Sequence, residues 1–477
     1  MNKFRLFISN FVIYGLGGII SKIIPLIMVP IVTRIMPDAS YFGISDLSNT
    51  VIQFGCALAI MGMYDAMYRM FFEKDEEDYK KAVCSTALVF TLFTSCVIFV
   101  LMLLGRDLIA RYFFSEPQYT NVVYLSAIAT LVGATNSIIS APTRMQNKRN
   151  VFLITNALGP LISYAVAVPM LLAGYYVIAL PLAAVISAVT MEVAFGVMNR
   201  QWFSLRRWDF RLLKQMLVIA VPLLPNFLIY WVFNSCDKVM ITNMIGIEAA
   251  GIYSVGSKLG HCSQLIYTAF AGGWQFFAFS TMKESDQVKT NSLIFEYLGI
   301  LSFAATAFIC AWSHDFYRVL FEEEYLSGYI VAPYLFLAPL LQMLFQVACN
   351  QFLVIKKTWP NMLILSAGAV VNVIINLVLI PVLGIEGAAI ATLMGYVVSD
   401  IVCVIVLCRM KLMVISGRFL AASGVTAVFL ILWRLVFPTN LPVGTIGAVA
   451  AALILTRLYR KDVFNLFLQK KTGQGDR

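Results

Sequence analysis

Long apolar stretches recur along the whole chain and are separated by short polar segments. Each stretch has roughly the 20 residues that an α-helix needs to cross the hydrocarbon core of a bilayer. Such stretches lie near residues 11–33, 44–64, 82–104, 119–140, 151–172, 177–198, 216–235, 250–275, 292–312, 329–352, 362–381, 387–408, 419–437 and 441–456. The pattern predicts an all-α polytopic membrane protein with 14 transmembrane helices.

Positive charge alternates between the segments that join these stretches. The two ends of the chain and every second loop together hold 27 of the 35 lysines and arginines, whereas the other loops hold five. Because cytoplasmic loops carry the excess of lysine and arginine, this alternation places both termini in the cytoplasm. It also supports the number and order of the predicted spans.

The composition agrees with a membrane protein and excludes several other classes. Apolar residues make up 60% of the 477 residues and charged residues 13%, about half the usual share for a soluble domain. A soluble enzyme, a disordered chain and a secreted disulfide scaffold are therefore excluded. The net charge of +10 follows from the cytoplasmic loops and predicts no nucleic-acid partner. Nine scattered cysteines and two histidines predict no metal site and no cofactor.

Short similarities recur at a nearly constant spacing and indicate an internal repeat. Gly43 and Gly251 lie in similar turns 208 residues apart, and the basic pairs at 148–149 and 356–357 have the same spacing. A third pair of turns, ending at Gly174 and Gly384, is 210 residues apart. Six helices separate equivalent positions, so the repeats run parallel, as in some transporters. We predict an N-lobe over 1–200 (spans one to six), a C-lobe over 201–410 (spans seven to twelve), and two C-terminal helices with a basic cytoplasmic tail over 411–477.

The sequence carries no recognisable catalytic motif. A phosphate-binding loop, a GxSxG elbow and an HExxH helix are all missing from it. The loops are also too short to form an acceptor site outside the membrane. We therefore expect that the protein is not an enzyme.

Cationic and polar side chains within the spans are the candidates for substrate binding. Charged groups inside a membrane are costly and usually mark a functional pathway. Lys22 lies in the middle of span one, and Arg34 ends that span. Lys258 lies in span eight beside His261 and Gln264, and a continuous helix would place Lys258 and His261 on one face. Fixed cations favour an anionic substrate.

Prolines accompany these charges in the first span of each repeat. Pro25 and Pro30 follow Lys22, and Pro222 and Pro225 occupy the corresponding span seven. A proline inside a helix removes a backbone hydrogen bond and bends the helix. The sequence therefore predicts helix breaks at these four positions.

Three acidic residues within spans are candidates for ion coupling. These are Asp46 in span two, Glu192 in span six and Asp400 in span twelve. Each could carry a proton or a sodium ion, and Asp46 could instead be the counter-ion of Lys22. The sequence leaves the choice between H⁺ and Na⁺ open.

Several stretches resemble bacterial polysaccharide flippases of the Wzx type, in the MATE-like (MOP) flippase superfamily. They are 25–34 with 41–43, 222–238 with 246–254, 321–325, and 372–381 with 384–392, which is the most specific. This resemblance implies two six-helix lobes that form a V around a cavity. It also implies alternating access that moves an oligosaccharide repeat unit of an O-antigen, capsule or exopolysaccharide, linked to undecaprenyl pyrophosphate, across the cytoplasmic (inner) membrane. Membrane lipids and the polysaccharide polymerase machinery are then the expected partners.

Three alternatives remain open at this point. Lipid II flippases carry a Ser-Arg element in helix one, which Ser21-Lys22 matches, and an Arg-Asp pair, where this chain has Met28-Val29. Ion-coupled MATE exporters of small cationic drugs usually have twelve spans and an acidic site. A membrane glycosyltransferase would have to incorporate sugar by itself.

Overall fold

The computed structural model describes residues 21–280, 286–355, 357 and 359–460. Helices account for 88% of the structure, and the described ranges contain no β-strand. In chain order the helices are α1 (21–35), α2 (Ala39–Ile60), α3 (Met63–Phe71), α4 (Glu77–Leu104), α5 (Arg106–Phe114), α6 (Thr120–Met145), α7 (Arg149–Leu172), α8 (Ala179–Asn199), α9 (Phe210–Ala220), α10 (Leu224–Trp231), α11 (Asp237–Met244), α12 (Ile247–Gly260), α13 (Ser263–Ser280), α14 (Gln287–Leu320), α15 (Glu323–Leu326), α16 (Ala332–Val354), α17 (Trp359–Leu383), α18 (Ile385–Arg409), α19 (Gly417–Val436) and α20 (Leu441–Leu458).

Most of these helices can cross a membrane. Eleven stretches of described helix are long and apolar enough, and the bent pair α2 and α3 makes a twelfth if it is counted as one span. Of the other predicted spans, the one near 11–33 begins outside the described residues and ends in α1. The one near 250–275 falls on α12 and α13, which are separated at residues 261–262. The chain is an integral membrane protein.

The span predicted near 44–64 is bent where α2 meets α3. The two helices differ in direction by 49°. Met61 and Gly62 adopt left-handed conformations, with φ of +49° and +76°. A Cβ on Gly62 would lie 2.5 Å from the carbonyl oxygen of Ala220, so both its backbone conformation and its close packing favour glycine.

By their contacts, the described residues form two compact units. The first comprises residues up to Val255 together with Val373–Ala388, and the second comprises Gly256–Asn372 together with the residues from Ala389 onward. These units differ from the repeats that the sequence predicts. The lobe boundaries at residues 200 and 410 stay a prediction.

Two of the apolar clusters that the described residues of the first unit form lie towards opposite ends of its helices. One contains Met63, Met67 and Met216, and it joins α3, α4, α6 and α9. The other contains Ile44 and Phe114 and joins α2, α5 and α6. Both clusters include residues of α4 and α6, which therefore pack against different neighbours at their two ends.

In the second unit, a buried carboxylate fastens α19 and α20 to α14. Glu296, which is 2% exposed, accepts hydrogen bonds from the main-chain nitrogen of Ser416 (2.7 Å), the Ser416 hydroxyl (2.8 Å) and the Tyr459 hydroxyl (2.6 Å). A buried carboxylate is tolerated when its oxygens are hydrogen-bonded in this way. The contact is therefore a fixed attachment of the C-terminal hairpin.

Candidate functional site

Charged and polar side chains from α2, α11 and α12 meet inside the first unit. Asp46, which is 4% exposed, accepts from the Nζ of Lys238 at 2.6 Å and from the Ser254 hydroxyl at 2.8 Å. The Lys238 side chain is 12% exposed. Both side chains of this ion pair are therefore largely buried.

A second carboxylate extends this network. Asp237, also 4% exposed, accepts from the Tyr253 hydroxyl and from the main-chain nitrogen of Lys238 (2.8 Å). Asp237 also acts electrostatically on the ammonium group of Lys238. We call Asp46, Asp237, Lys238, Tyr253 and Ser254 the polar cluster.

Lys238 supplies the positive charge of the polar cluster. Its ammonium group stabilises two carboxylates, those of Asp46 and Asp237, and the hydroxyl groups of Ser254 and Tyr253 donate hydrogen bonds to them. Breaking a buried ion pair by removing one partner leaves an uncompensated buried charge, which costs about 3–5 kcal/mol. Removing Lys238 would therefore weaken the attachment of α2 to α11.

Two glycines bring α2 and α12 into direct contact beside the polar cluster. A Cβ on Gly43 would lie 2.5 Å from the carbonyl oxygen of Ile247, and a Cβ on Gly251 would overlap the carbonyl oxygen of Ala39. The contact is reciprocal, because Ala39 and Ile247, like Gly43 and Gly251, are 208 residues apart. Asp46 and Ser254 are also separated by 208 residues. Positions that the predicted repeat would make equivalent therefore face each other.

The predicted breaks in span seven lie where the helix changes type. Pro222 is in a 3₁₀ turn, Val221–Leu223, and Pro225 is in the first turn of α10. A π-helical turn, Val232–Cys236, then separates α10 from α11. It immediately precedes Asp237 and Lys238 and so sets the direction in which they point.

Span one differs from this arrangement. Pro25 and Pro30 lie in a helix that is continuous from residue 21 to 35, so neither proline interrupts it. Each proline removes a single backbone donor, and the helical bonds on either side of it are kept. The chain therefore passes both prolines without a break.

The interpretation of Asp46 as the counter-ion of Lys22 is wrong, because Asp46 pairs with Lys238. Lys22 lies exposed on α1, and Arg34 is exposed near the end of that helix. Both belong to the first unit.

Lys258, His261 and Gln264 lie in the second unit, around the junction of α12 and α13. All three are half-buried. The helix ends at Gly260, so a single helical face does not run from Lys258 to His261. The main-chain nitrogens of His261 and Gln264 bond to the carbonyl oxygens of Ser257 (2.8 Å) and His261 (2.9 Å), which shapes the turn.

The other two acidic candidates have very different surroundings. Glu192 is half-buried and accepts a hydrogen bond of 2.7 Å from the Thr135 hydroxyl. Asp400 is 8% exposed, and within the described part of the chain neither of its carboxylate oxygens has a hydrogen-bond partner. A charged group in such surroundings is costly.

No group of histidine, cysteine and acidic side chains suited to a metal ion occurs in residues 21–280, 286–355, 357 and 359–460. In these ranges the chemistry of the site is that of charge pairs and hydrogen bonds.

Sequence reasoning missed most of the polar cluster. Asp237 and Lys238 lie at the end of a predicted span, where charged residues are ordinary, and Tyr253 and Ser254 lie in a segment noted for its glycine. The repeat spacing was the available signal, because adding 208 to Asp46 gives Ser254, its hydrogen-bond partner.

Known proteins share sequence and fold features with this chain. A family model described as polysaccharide biosynthesis protein matches residues 31–330, which is more than half of the chain. The chain belongs to the polysaccharide biosynthesis protein family. No curated protein matches it.

Solved structures share the fold. The lipid II flippase MurJ in an inward closed conformation superposes with a TM-score of 0.73 at 12% identity, over 95% of this chain and 100% of that chain. A multidrug resistance MATE transporter of the MOP superfamily, inward-facing, has a TM-score of 0.61 at 15% identity, over 83% and 98%. A Vibrio cholerae MATE transporter, VcmN, has a TM-score of 0.59 at 12% identity, over 85% and 96%. At such identities the likeness is one of fold.

Proposed function

We propose that this protein is a flippase that carries an oligosaccharide repeat unit, linked to undecaprenyl pyrophosphate, across the bacterial cytoplasmic membrane by alternating access. The observation that carries the proposal is membership of the polysaccharide biosynthesis protein family by a chain whose fold is shared with a lipid II flippase. The repeat unit would belong to an O-antigen, a capsule or an exopolysaccharide. Membrane lipids and the polysaccharide polymerase machinery are the partners that this role requires.

The proposal includes a topology of 14 spans with both termini in the cytoplasm. Spans one to six and seven to twelve form parallel repeats, and spans thirteen and fourteen follow. The distribution of lysine and arginine supports this orientation. The reciprocal contact of Gly43 and Gly251 supports it too, because a two-fold axis along the membrane normal would bring equivalent positions of parallel repeats face to face.

In this topology the polar cluster lies at the outer end of the membrane. Span two begins at Ala39 and span seven ends at Met244, both on the side away from the cytoplasm. We assign the polar cluster and the two glycines to an outer gate that is closed here. Opening it would separate α2 from α11 and α12, since alternating access needs a contact that forms in one state and breaks in the other.

Lys22 and Lys258 remain the proposed cations for the pyrophosphate. The double variant Lys22→Ala, Lys258→Ala is expected to abolish surface polysaccharide, because it removes the two lysines proposed to neutralise the pyrophosphate. Polysaccharide is measured by gel analysis in a strain that lacks the native gene, and insertion is measured by immunoblotting of membranes.

The matched control is Lys74→Ala, Lys214→Ala, which removes the same charge from two exposed lysines. If the Lys22, Lys258 double variant makes normal amounts of polysaccharide, these lysines do not bind the substrate. If a strain without the gene keeps its polysaccharide but accumulates cationic drugs, the protein is an exporter. Rescue of a strain depleted of its lipid II flippase would indicate that substrate instead.

We also propose that a proton or sodium gradient drives transport, with Asp400 as the leading candidate for the proton. Because Asp400 lacks a hydrogen-bond partner in the described residues, Asp400→Asn preserves the shape and neutrality of its buried side chain. The variant should keep its thermal unfolding midpoint and lose the response of flipping to a pH gradient in proteoliposomes. Glu192→Gln is tested in the same assay, because Glu192 is the other carboxylate that could carry the proton. If flipping in Asp400→Asn still responds to the pH gradient, Asp400 does not carry the proton.

A further inference from the structure

A polar cavity lies within the first unit, away from the polar cluster. Its volume is about 260 Å³, and faces of α6, α7 and α8 form its walls, with Ser21 of α1 at one edge. We call it the Asn136 cavity. Pockets that enclose drug-sized ligands are usually about 300–1,000 Å³, so this one suits a single sugar-sized group.

The α6 wall supplies four of the polar residues that line the cavity. Asn136, Ser140, Thr143 and Arg144 recur at helical spacing and therefore share one face. The Oδ1 atom of Asn136 is buried and has no hydrogen-bond partner in the described residues. A buried acceptor that stays unpaired destabilises the protein, so a ligand that brings a hydroxyl donor would be stabilised there.

Arg144 provides the charge. It is the one charged residue among those that line the cavity. Its guanidinium lies 4.8 Å from the centre of the Phe152 ring, and its Nη1 donates to the Tyr64 hydroxyl at 3.4 Å. These contacts hold the planar group at the cavity, and its remaining N–H groups can bind a phosphate in bidentate fashion.

The α7 wall adds a second set of hydrogen-bonding groups. The Asn156 side chain donates to the carbonyl oxygen of Phe152 at 2.8 Å, which fixes its amide at the cavity. Pro160 has no N–H, so the main-chain carbonyl of Asn156 lacks its usual helical donor. Gly159 leaves open space, because a Cβ there would meet nothing closer than 4.0 Å. The wall is thus both polar and recessed.

We propose that the Asn136 cavity binds a phosphorylated sugar, with Arg144 on the phosphate and Asn136 and Asn156 on the hydroxyl groups. Phe152 and Phe195 offer ring surfaces to the apolar face of the sugar. Asn136 and Arg144 are eight residues apart, so their backbones are separated by about 12 Å along α6, and the long arginine side chain shortens the gap. The inference rests on the proposed function, in which the sugar is the one next to the lipid carrier.

The test measures binding to the full chain in lipid nanodiscs. The probes are N-acetylglucosamine 1-phosphate, N-acetylglucosamine, inorganic phosphate, and N-acetylglucosamine linked to a short polyprenyl pyrophosphate. The sugar phosphate is expected to bind better than either of its parts. Arg144→Gln should weaken its binding about tenfold or more, whereas Arg200→Gln, which removes an exposed arginine, should not.

A second variant distinguishes binding of the sugar hydroxyl groups from binding of the phosphate charge. Asn136→Leu should weaken binding of the sugar phosphate and leave binding of inorganic phosphate unchanged. Asn156→Ala provides the same comparison if Asn136→Leu unfolds at lower temperature.

The probes distinguish the source of the ligand. Binding of the lipid-linked probe alone supports a membrane-borne ligand, and binding of both the lipid-linked probe and the sugar phosphate supports a site that also accepts a soluble sugar phosphate. Equal binding by Arg144→Gln and Arg200→Gln overturns the inference. Polysaccharide export that persists in Arg144→Gln, together with normal binding, rejects the cavity and leaves the flippase role standing.

Discussion

Gly251→Ala is expected to abolish surface polysaccharide while the protein still inserts in the membrane. In the interior of a helix this change is ordinarily stabilising by about 0.5–1 kcal/mol. Here the new Cβ would overlap the carbonyl oxygen of Ala39, a backbone atom that cannot rotate away. The helices α2 and α12 would have to separate, and inserting atoms into a tight contact costs about 1–3 kcal/mol. Gly251→Ala is therefore expected to destabilise the protein, whereas Gly→Ala in an ordinary helix stabilises it.

Glycines without close neighbours serve as controls, because they show whether any Gly→Ala change in a helix impairs the protein or only one at the close contact between α2 and α12. Gly196 and Gly424 also lie in helices, and a Cβ on either would meet no atom within 4 Å. Gly196→Ala and Gly424→Ala should therefore keep polysaccharide and thermal unfolding midpoint, whereas Gly43→Ala should behave like Gly251→Ala. If Gly251→Ala matched Gly196→Ala in both measurements, the close contact would have no role in transport.

Lys238→Gln is expected to lower the free energy of unfolding more than any other single change in the polar cluster. It leaves Asp46 and Asp237 buried without their shared ammonium group, and the loss is about 3–5 kcal/mol. Asp46→Asn should cost less, because Lys238 keeps Asp237 beside it. The order of the two effects follows from one cation serving two carboxylates.

Thermal and denaturant unfolding of the purified protein in detergent measures this order. Lys214→Gln is the control, since it removes an exposed lysine from the same span and should change stability little. A larger loss in Asp46→Asn than in Lys238→Gln would contradict the arrangement described here. Surface polysaccharide in the same variants then shows whether the cluster is needed for transport as well as for stability.

Much of the fold could be predicted because crossing a membrane constrains a sequence strongly. About 20 apolar residues per span and the alternating loop charges are read directly from the chain. The bend at Met61 and Gly62 was missed, because the apolar pattern continues through it. The gap at residues 261–262 was missed for the same reason.

The site was predictable only in part, for a physical reason. Asp46 could be named because a lone carboxylate inside a span is unusual, and of its two interpretations the pairing with Lys22 of the neighbouring span was wrong. The correct cation, Lys238, lies at the end of span seven, where a lysine needs no functional explanation. Its direction depends on the π-helical turn before it, which hydropathy does not report.

That turn, Val232–Cys236, has a consequence for insertions and deletions. A π-helical turn holds one residue more than the α-helix around it. Deleting Asn234, whose side chain bonds to the carbonyl oxygen of Tyr230 on an exposed face, would restore a regular helix and change the direction of the residues after it little, because the wider turn already absorbs one extra residue. A residue deleted from the regular helix α10 would instead rotate Lys238 by about 100°, away from Asp46. In an alignment of relatives, a single gap in this turn would therefore be compatible with the ion pair, whereas a single gap in α10 would predict its loss even where both of its residues are retained.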